Sequence, residues 1–121
     1  MAETRPRNVR VPVELRDRVR DICDDAEGIT ATSIVVAGLR RFAEEPHADG
    51  VIDWAVDRPA TGPSVQLSYR IPQDVADAAD ARCAALERYA AGRGVVLTTS
   101  LVAVHALADA VATEAAAGEG A

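Results

Sequence analysis

The sequence predicts a mostly α-helical chain containing one short pair of strands, and two observations carry that prediction. Residues 8–12 (Asn-Val-Arg-Val-Pro) and 66–72 (Gln-Leu-Ser-Tyr-Arg-Ile-Pro) each alternate polar and apolar residues, end at a proline and run into a helical pattern. Placing Pro12 on Pro72 also places Val9 on Tyr69, Arg10 on Arg70, Val11 on Ile71, Leu15 on Val75 and Cys23 on Cys83. A second helix start then follows in both halves, Thr32-Ser33-Ile34-Val35 matching Thr99-Ser100-Leu101-Val102. Strand, proline, cysteine and helix start recur in one order, which predicts an internal duplication. Strands this short are not stable alone, so each copy supplies the other's partner.

The elements follow in order. Residues 8–11 form the first strand, and Pro12 ends it at the entrance of a helix. Leu15, Val19, Ile22, Cys23 and Ala26 fall on one face of that helix, which Gly28 stops. Thr30 and Thr32 are N-cap candidates for the next helix, whose apolar side carries Val35, Val36, Leu39 and Phe42 and which fades at Glu44-Glu45-Pro46. Residues 46–63 read as a linker with breakers Pro46, Gly50, Pro59, Gly62 and Pro63, although Val51, Ile52 and Trp54 predict that part of it packs. The second unit repeats the plan: strand 65–71, a helix near 73–91 one to two turns longer than its counterpart, a Gly92-Arg93-Gly94 break, and a helix near 99–115. Residues 115–121 form a small, polar tail that frays. The boundaries are therefore 7–45 for the first unit, 46–63 for the linker and 64–114 for the second, the two units sharing one core. Gly38 matches His105 between units, and a close helix crossing accounts for the glycine.

Composition narrows the function. No stretch approaches a membrane span, and residues 1–12 are charged and polar, so a cytoplasmic protein is expected. Cys23 and Cys83 have no CxxC spacing or histidine company, which argues against zinc; they read as small, reduced core residues, with a disulfide or redox pair as the alternative. His47 and His105 lack ligand neighbours, and Asp74, Asp77 and Asp80 read as a solvated stripe. There is no GxSxG, P-loop or HExxH, so neither an enzyme nor a cofactor is expected. The net charge of −6 opposes a phosphate-bearing partner, yet residues 5–20 hold six arginines against Glu14 and Asp17.

Period-two geometry divides each strand into faces. Val9 and Val11, like Leu67, Tyr69 and Ile71, point to the helices. Asn8, Arg10, Gln66, Ser68 and Arg70 point the other way. Arginine forks onto guanine, Asn or Gln onto adenine, and Ser onto either, so this set has the chemistry of base reading; an ordinary solvated strand face has the same residue types. At the helix starts, Thr30, Thr32, Ser33, Thr98, Thr99 and Ser100 combine hydroxyls with free backbone N–H groups, which suits phosphate as well as plain N-capping. Arg5 and Arg7, in a flexible lead-in, add either phosphate contacts or a solvated tail.

This strand–helix–helix order, written twice, resembles the ribbon-helix-helix family of DNA-binding regulators, which includes the Arc and MetJ repressors. The resemblance covers residues 7–45 and 64–113. It is closest at Gln66-Leu67-Ser68-Tyr69-Arg70, which repeats the polar–apolar–polar–apolar–Arg order of Arc-type strands. It implies that the strands pair into an antiparallel ribbon, that four helices close beneath it as one core, and that the ribbon enters the major groove. It further implies that the two fused units fold as an intramolecular pseudo-dimer whose helix starts clamp the DNA backbone. The expected partner is double-stranded DNA, with self-association on it. The expected role is transcriptional repression or that of a plasmid or conjugation accessory factor, since single-chain duplication occurs among the latter. Two departures stand out: the second unit is less basic, and Pro6 occupies the place of a third groove-facing residue. An acidic protein–protein interaction module that keeps the fold without binding DNA is the alternative. Whether one chain closes on itself or two exchange strands is left open by a linker of about eighteen residues.

Overall fold

The computed structural model describes residues 3–25, 27–44, 49–57 and 62–119. Ala26, Glu45, Pro46, His47 and Pro59, named above, lie outside the described residues. The order is β1 (Thr4–Pro12), α1 (Val13–Asp25), α2 (Ala31–Glu44), α3 (Asp49–Asp57), β2 (Ser64–Pro72), α4 (Gln73–Ala85), α5 (Glu87–Gly92) and α6 (Thr99–Glu119). The architecture is mostly helical with a two-stranded antiparallel sheet. Among the described residues no helix is long and apolar enough to cross a membrane.

Both strands run nine residues and begin earlier than period-two alternation around Asn8 suggests, because pairing continues to Thr4 and Ser64. The ladder pairs Asn8 with Ser68 at its centre, Arg10 with Gln66 on one side and Pro6 with Arg70 on the other. Positions sixty residues apart therefore take matching places about the Asn8–Ser68 pair. The strand ends show the same relation. Val13 N–H donates to the Pro63 carbonyl at 3.0 Å and Gln73 N–H to the Glu3 carbonyl at 2.6 Å, so the opposite strand satisfies an early amide that each helix leaves unpaired. Pro72 is the N-cap of α4, extended at φ −54, ψ 134, and contributes no side-chain cap.

The helices close one face of the ribbon. Val9, Val11, Tyr69 and Ile71 are buried against Val19, Val35, Leu39, Phe42, Val75, Ala79, Val102 and Leu107 in one contiguous core. The packing is crosswise: α1 lies mainly on α6 and α4 mainly on α2, while α2 and α6 cross each other. At that crossing Gly38 meets Ala106 so closely that a methyl group on Gly38 would collide with the Ala106 Cβ, with the Ala106 Cα at 3.5 Å. The glycine thus answers a close helix approach, as expected, and the residue it approaches is Ala106. The match between α2 and α6 is shifted by one from the Thr-Ser alignment. Thr30 and Thr98 are the equivalent caps, each accepting at 3.1 Å from the amide three residues on, of Ser33 and Leu101. Gly28 at φ +80 ends the stretch after α1, a left-handed turn that glycine adopts without strain.

Three further differences from expectation have local causes. The helix expected near 73–91 is two helices: α4 has the same thirteen residues as α1, and Leu86 turns the chain at φ −100, ψ 3 before α5. The linker contains α3, too short and too closely flanked by breakers to register as a periodic pattern. It buries Val51 and Ile52, and Trp54 meets His105 edge to face at 5.1 Å and 65°. Asp53 ion-pairs with Arg93 at 2.7 Å, tying α3 to the turn after α5. Finally, α6 continues to Glu119, through much of the expected tail.

Candidate nucleic-acid interface

The ribbon face turned away from the helices carries Thr4, Pro6, Asn8, Arg10 and Pro12 from β1 and Ser64, Gln66, Ser68, Arg70 and Pro72 from β2. Asn8, Arg10, Gln66, Ser68 and Arg70 are all exposed, and the ladder gathers them onto one surface. This surface holds two arginines and no carboxylate in a chain of net charge −6. Arg10 and Arg70 stand diagonally on either side of the central pair, four ladder steps apart, or roughly 13 Å at the strand rise. Arg10 Nη1 donates to Ser64 Oγ at 3.1 Å across the strands, which orients its guanidinium over the face. Arg70 has no hydrogen-bond or ion-pair partner among the described residues. Ser64 was not among the sequence candidates, although its parity with Gln66 places it on the outward face once β2 is extended.

The other candidates divide. Arg5 and Arg7 lie within β1 rather than in a flexible lead-in. Arg5 is exposed, while Arg7 points to the helices and pairs with Asp80 at 2.6 Å. Asp80, expected in a solvated stripe, is half-buried and also accepts a short hydrogen bond from the Thr99 hydroxyl. Burial by itself raises its carboxyl, but the hydrogen bonds from Thr99 and Arg7 and the Arg7 charge hold it below the usual carboxylate range. Thr99 is buried, with its hydroxyl also 4.0 Å from Cys83 Sγ. Arg7 and Thr99 are thus engaged inside the protein, and neither offers its side chain freely to phosphate.

At the start of α2, Thr30 and Ser33 bond reciprocally. Thr30 N–H donates to Ser33 Oγ at 3.0 Å, and the Ser33 hydroxyl donates to the Thr30 carbonyl at 2.7 Å. Thr30, Ser33 and Thr98 are exposed and Thr32 half-buried, so the cap hydroxyls remain at the surface. Ser100 donates to the Asn8 carbonyl at 3.2 Å, which anchors the start of α6 under the centre of the ribbon. The Cys83 thiol is buried and Cys23 half-buried; both are free, and burial pushes both above the ordinary thiol range. Among the described residues no group of three or more His, Cys, Asp or Glu could hold a metal ion.

The arrangement presents a narrow two-stranded surface of donors and acceptors, charged only positively and stiffened from beneath by an apolar core. Such a ribbon fits a groove about 12 Å wide. Comparison with protein-family models, curated proteins and solved structures yields no match.

Proposed function

We propose that this chain is a sequence-specific double-stranded DNA-binding regulator of the ribbon-helix-helix type. Two tandem units form an intramolecular pseudo-dimer that inserts its β-ribbon into the major groove. One observation carries the reading: the outward ribbon face collects Asn8, Arg10, Gln66, Ser68 and Arg70 with no acid among them, against an overall charge of −6. The ladder centred on Asn8 and Ser68, the equal lengths of α1 and α4, and the crosswise packing of α1 on α6 and α4 on α2 support the tandem arrangement. Arg10 and Arg70 are the base-reading residues, with Asn8, Gln66 and Ser68 between them. Pro6 opposite Arg70, where Gln66 opposes Arg10, makes the two ends of the ribbon unequal, so the preferred site is asymmetric. The exposed starts of α2 and α6, at Thr30 and Thr98, flank the ribbon and fix its register on the backbone. The protein acts by occupancy, as a cytoplasmic transcriptional repressor or a plasmid or conjugation accessory factor.

Selection of duplexes from a random pool, followed by anisotropy titration at several salt concentrations, tests this. Affinity should fall steeply with salt. Arg10→Ala or Arg70→Ala should each cost about 1–3 kcal/mol and relax preference at one base position. Enrichment of no sequence, or binding by both variants unchanged from the parent, refutes the reading. The net acidity and the engagement of Arg7 by Asp80 favour a second reading, an acidic protein-binding module on the same fold. That reading predicts no salt-dependent duplex binding at all.

A further inference from the structure

A cavity of ≈ 450 Å³ opens between α1, the start of α2 and the helix-facing side of β2. Its apolar surface includes Val19, Leu67 and Leu107, and its polar groups include Arg16, Arg20 and Tyr69. Tyr69 is only 6% exposed, yet its hydroxyl has no hydrogen-bond partner among the described residues. The oxygen nevertheless keeps some solvent contact, and Tyr69 lines the cavity. Arg16 is held by Asp17 at 3.0 Å, whereas Arg20 has no ion-pair partner among the described residues.

The matching region at the other end of the ribbon holds a side-chain network. There Arg7, Asp80 and Thr99 form the half-buried network described above. On the cavity side the equivalent places, sixty positions away on the ribbon and first helix and matched through the Thr30 and Thr98 caps on the second, hold Leu67, Arg20 and Ala31. The half-buried cation has become an aliphatic chain, the carboxylate an arginine and the hydroxyl a methyl group. The carboxylate that answers the arginine at one end has no counterpart at the other.

We propose that this cavity binds a small organic anion with an apolar body, of the medium-chain carboxylate class. The carboxylate is held by Arg20 and Arg16 and accepts from the Tyr69 hydroxyl, while the chain lies on Val19, Leu67 and Leu107. Burial keeps the Tyr69 phenol and the Cys23 thiol protonated, so neither adds a negative charge to the site. Ser68 and Thr30 also line the cavity, which sets an occupant beside the ribbon and the start of α2.

The test uses the intact chain without DNA, so its result is independent of the DNA-binding reading. Octanoate, octylammonium and inorganic phosphate are titrated by calorimetry and by amide chemical-shift mapping. Octanoate should bind saturably at one site and shift the Val19, Tyr69 and Leu107 amides. Arg20→Gln should weaken it about tenfold and Tyr69→Phe severalfold, the ring being retained. Absence of saturable octanoate binding, equal binding of octylammonium or phosphate, or unchanged octanoate affinity in both variants overturns the proposal.

Discussion

Gly38 sits where α2 and α6 come closest, and exchanging it with its neighbour is the sharpest test of the core. In Gly38→Ala the new methyl is driven into the Ala106 Cβ, which is fixed to backbone and cannot swing aside. Overpacking of this kind costs about 1–3 kcal/mol, and replacing a helical glycine returns about 1 kcal/mol, so a net loss of about 0–2 kcal/mol is expected. Ala106→Gly loses about 1 kcal/mol of helix propensity and roughly 0.8 kcal/mol of methyl burial, close to 2 kcal/mol together. If the two sites were independent, the double variant would lose about 2–4 kcal/mol. Since the pair shares one methyl-sized space, Gly38→Ala with Ala106→Gly should instead lie within about 1 kcal/mol of the parent, giving a coupling of about 1–3 kcal/mol. Urea unfolding followed at 222 nm, with the slope checked for constancy, measures all four corners of the cycle. Additive losses would show that the two helices do not meet at these residues.

Other outcomes follow from the electrostatics and the caps. Asp80→Asn should cost about 0.5–1 kcal/mol near neutral pH, small because the Arg7 and Asp80 side chains are 37% and 44% exposed. Because its folded carboxyl titrates below the unfolded value, this contribution is complete above about pH 4 and disappears as pH falls through the folded value, so parent and variant stabilities should converge in acid. Burial lowers the His105 imidazole, with Arg41 adding to that effect and Asp109 opposing it. A proton-resonance titration should place its midpoint below about 6.5, and the stability that its neutral form confers should be complete above that pH and decline as pH drops through it. Thr30→Ala should cost about 1 kcal/mol in urea unfolding by removing the α2 cap; no change would mean that Ser33 alone sustains the helix start.

Much of the ribbon was legible in the chain itself. Alternation separates Asn8, Arg10, Gln66, Ser68 and Arg70 from Val9, Val11, Tyr69 and Ile71, because successive side chains on a strand point to opposite faces. The sixty-residue offset between Pro12 and Pro72 reappears as the centre of the ladder. The turn at Gly28 and the tight fit at Gly38 were likewise readable, since each rests on a special backbone property, whereas Thr30 was one of two cap candidates and Thr98 one of three hydroxyls at its helix start. What failed to show were contacts between residues far apart in sequence. Arg7 and Asp80 each look like solvated charges until the fold brings them within 2.6 Å. Thr99 looks like a cap until burial turns it onto Asp80. The one-residue shift between α2 and α6 emerged only from the cap hydrogen bonds and from which residues meet at their crossing.

Local sequence therefore determined which segments are extended or helical and which strand residues face out, since backbone sterics and side-chain period act over a few residues. Tertiary structure alone decided that Arg7 is engaged by an internal partner while Arg70 is not, that Ile52 and Trp54 pack as a short helix, and that a cavity opens between α1, the start of α2 and β2. Those outcomes depend on the sum of long-range packing and desolvation, in which a side chain's neighbours are set by the whole chain.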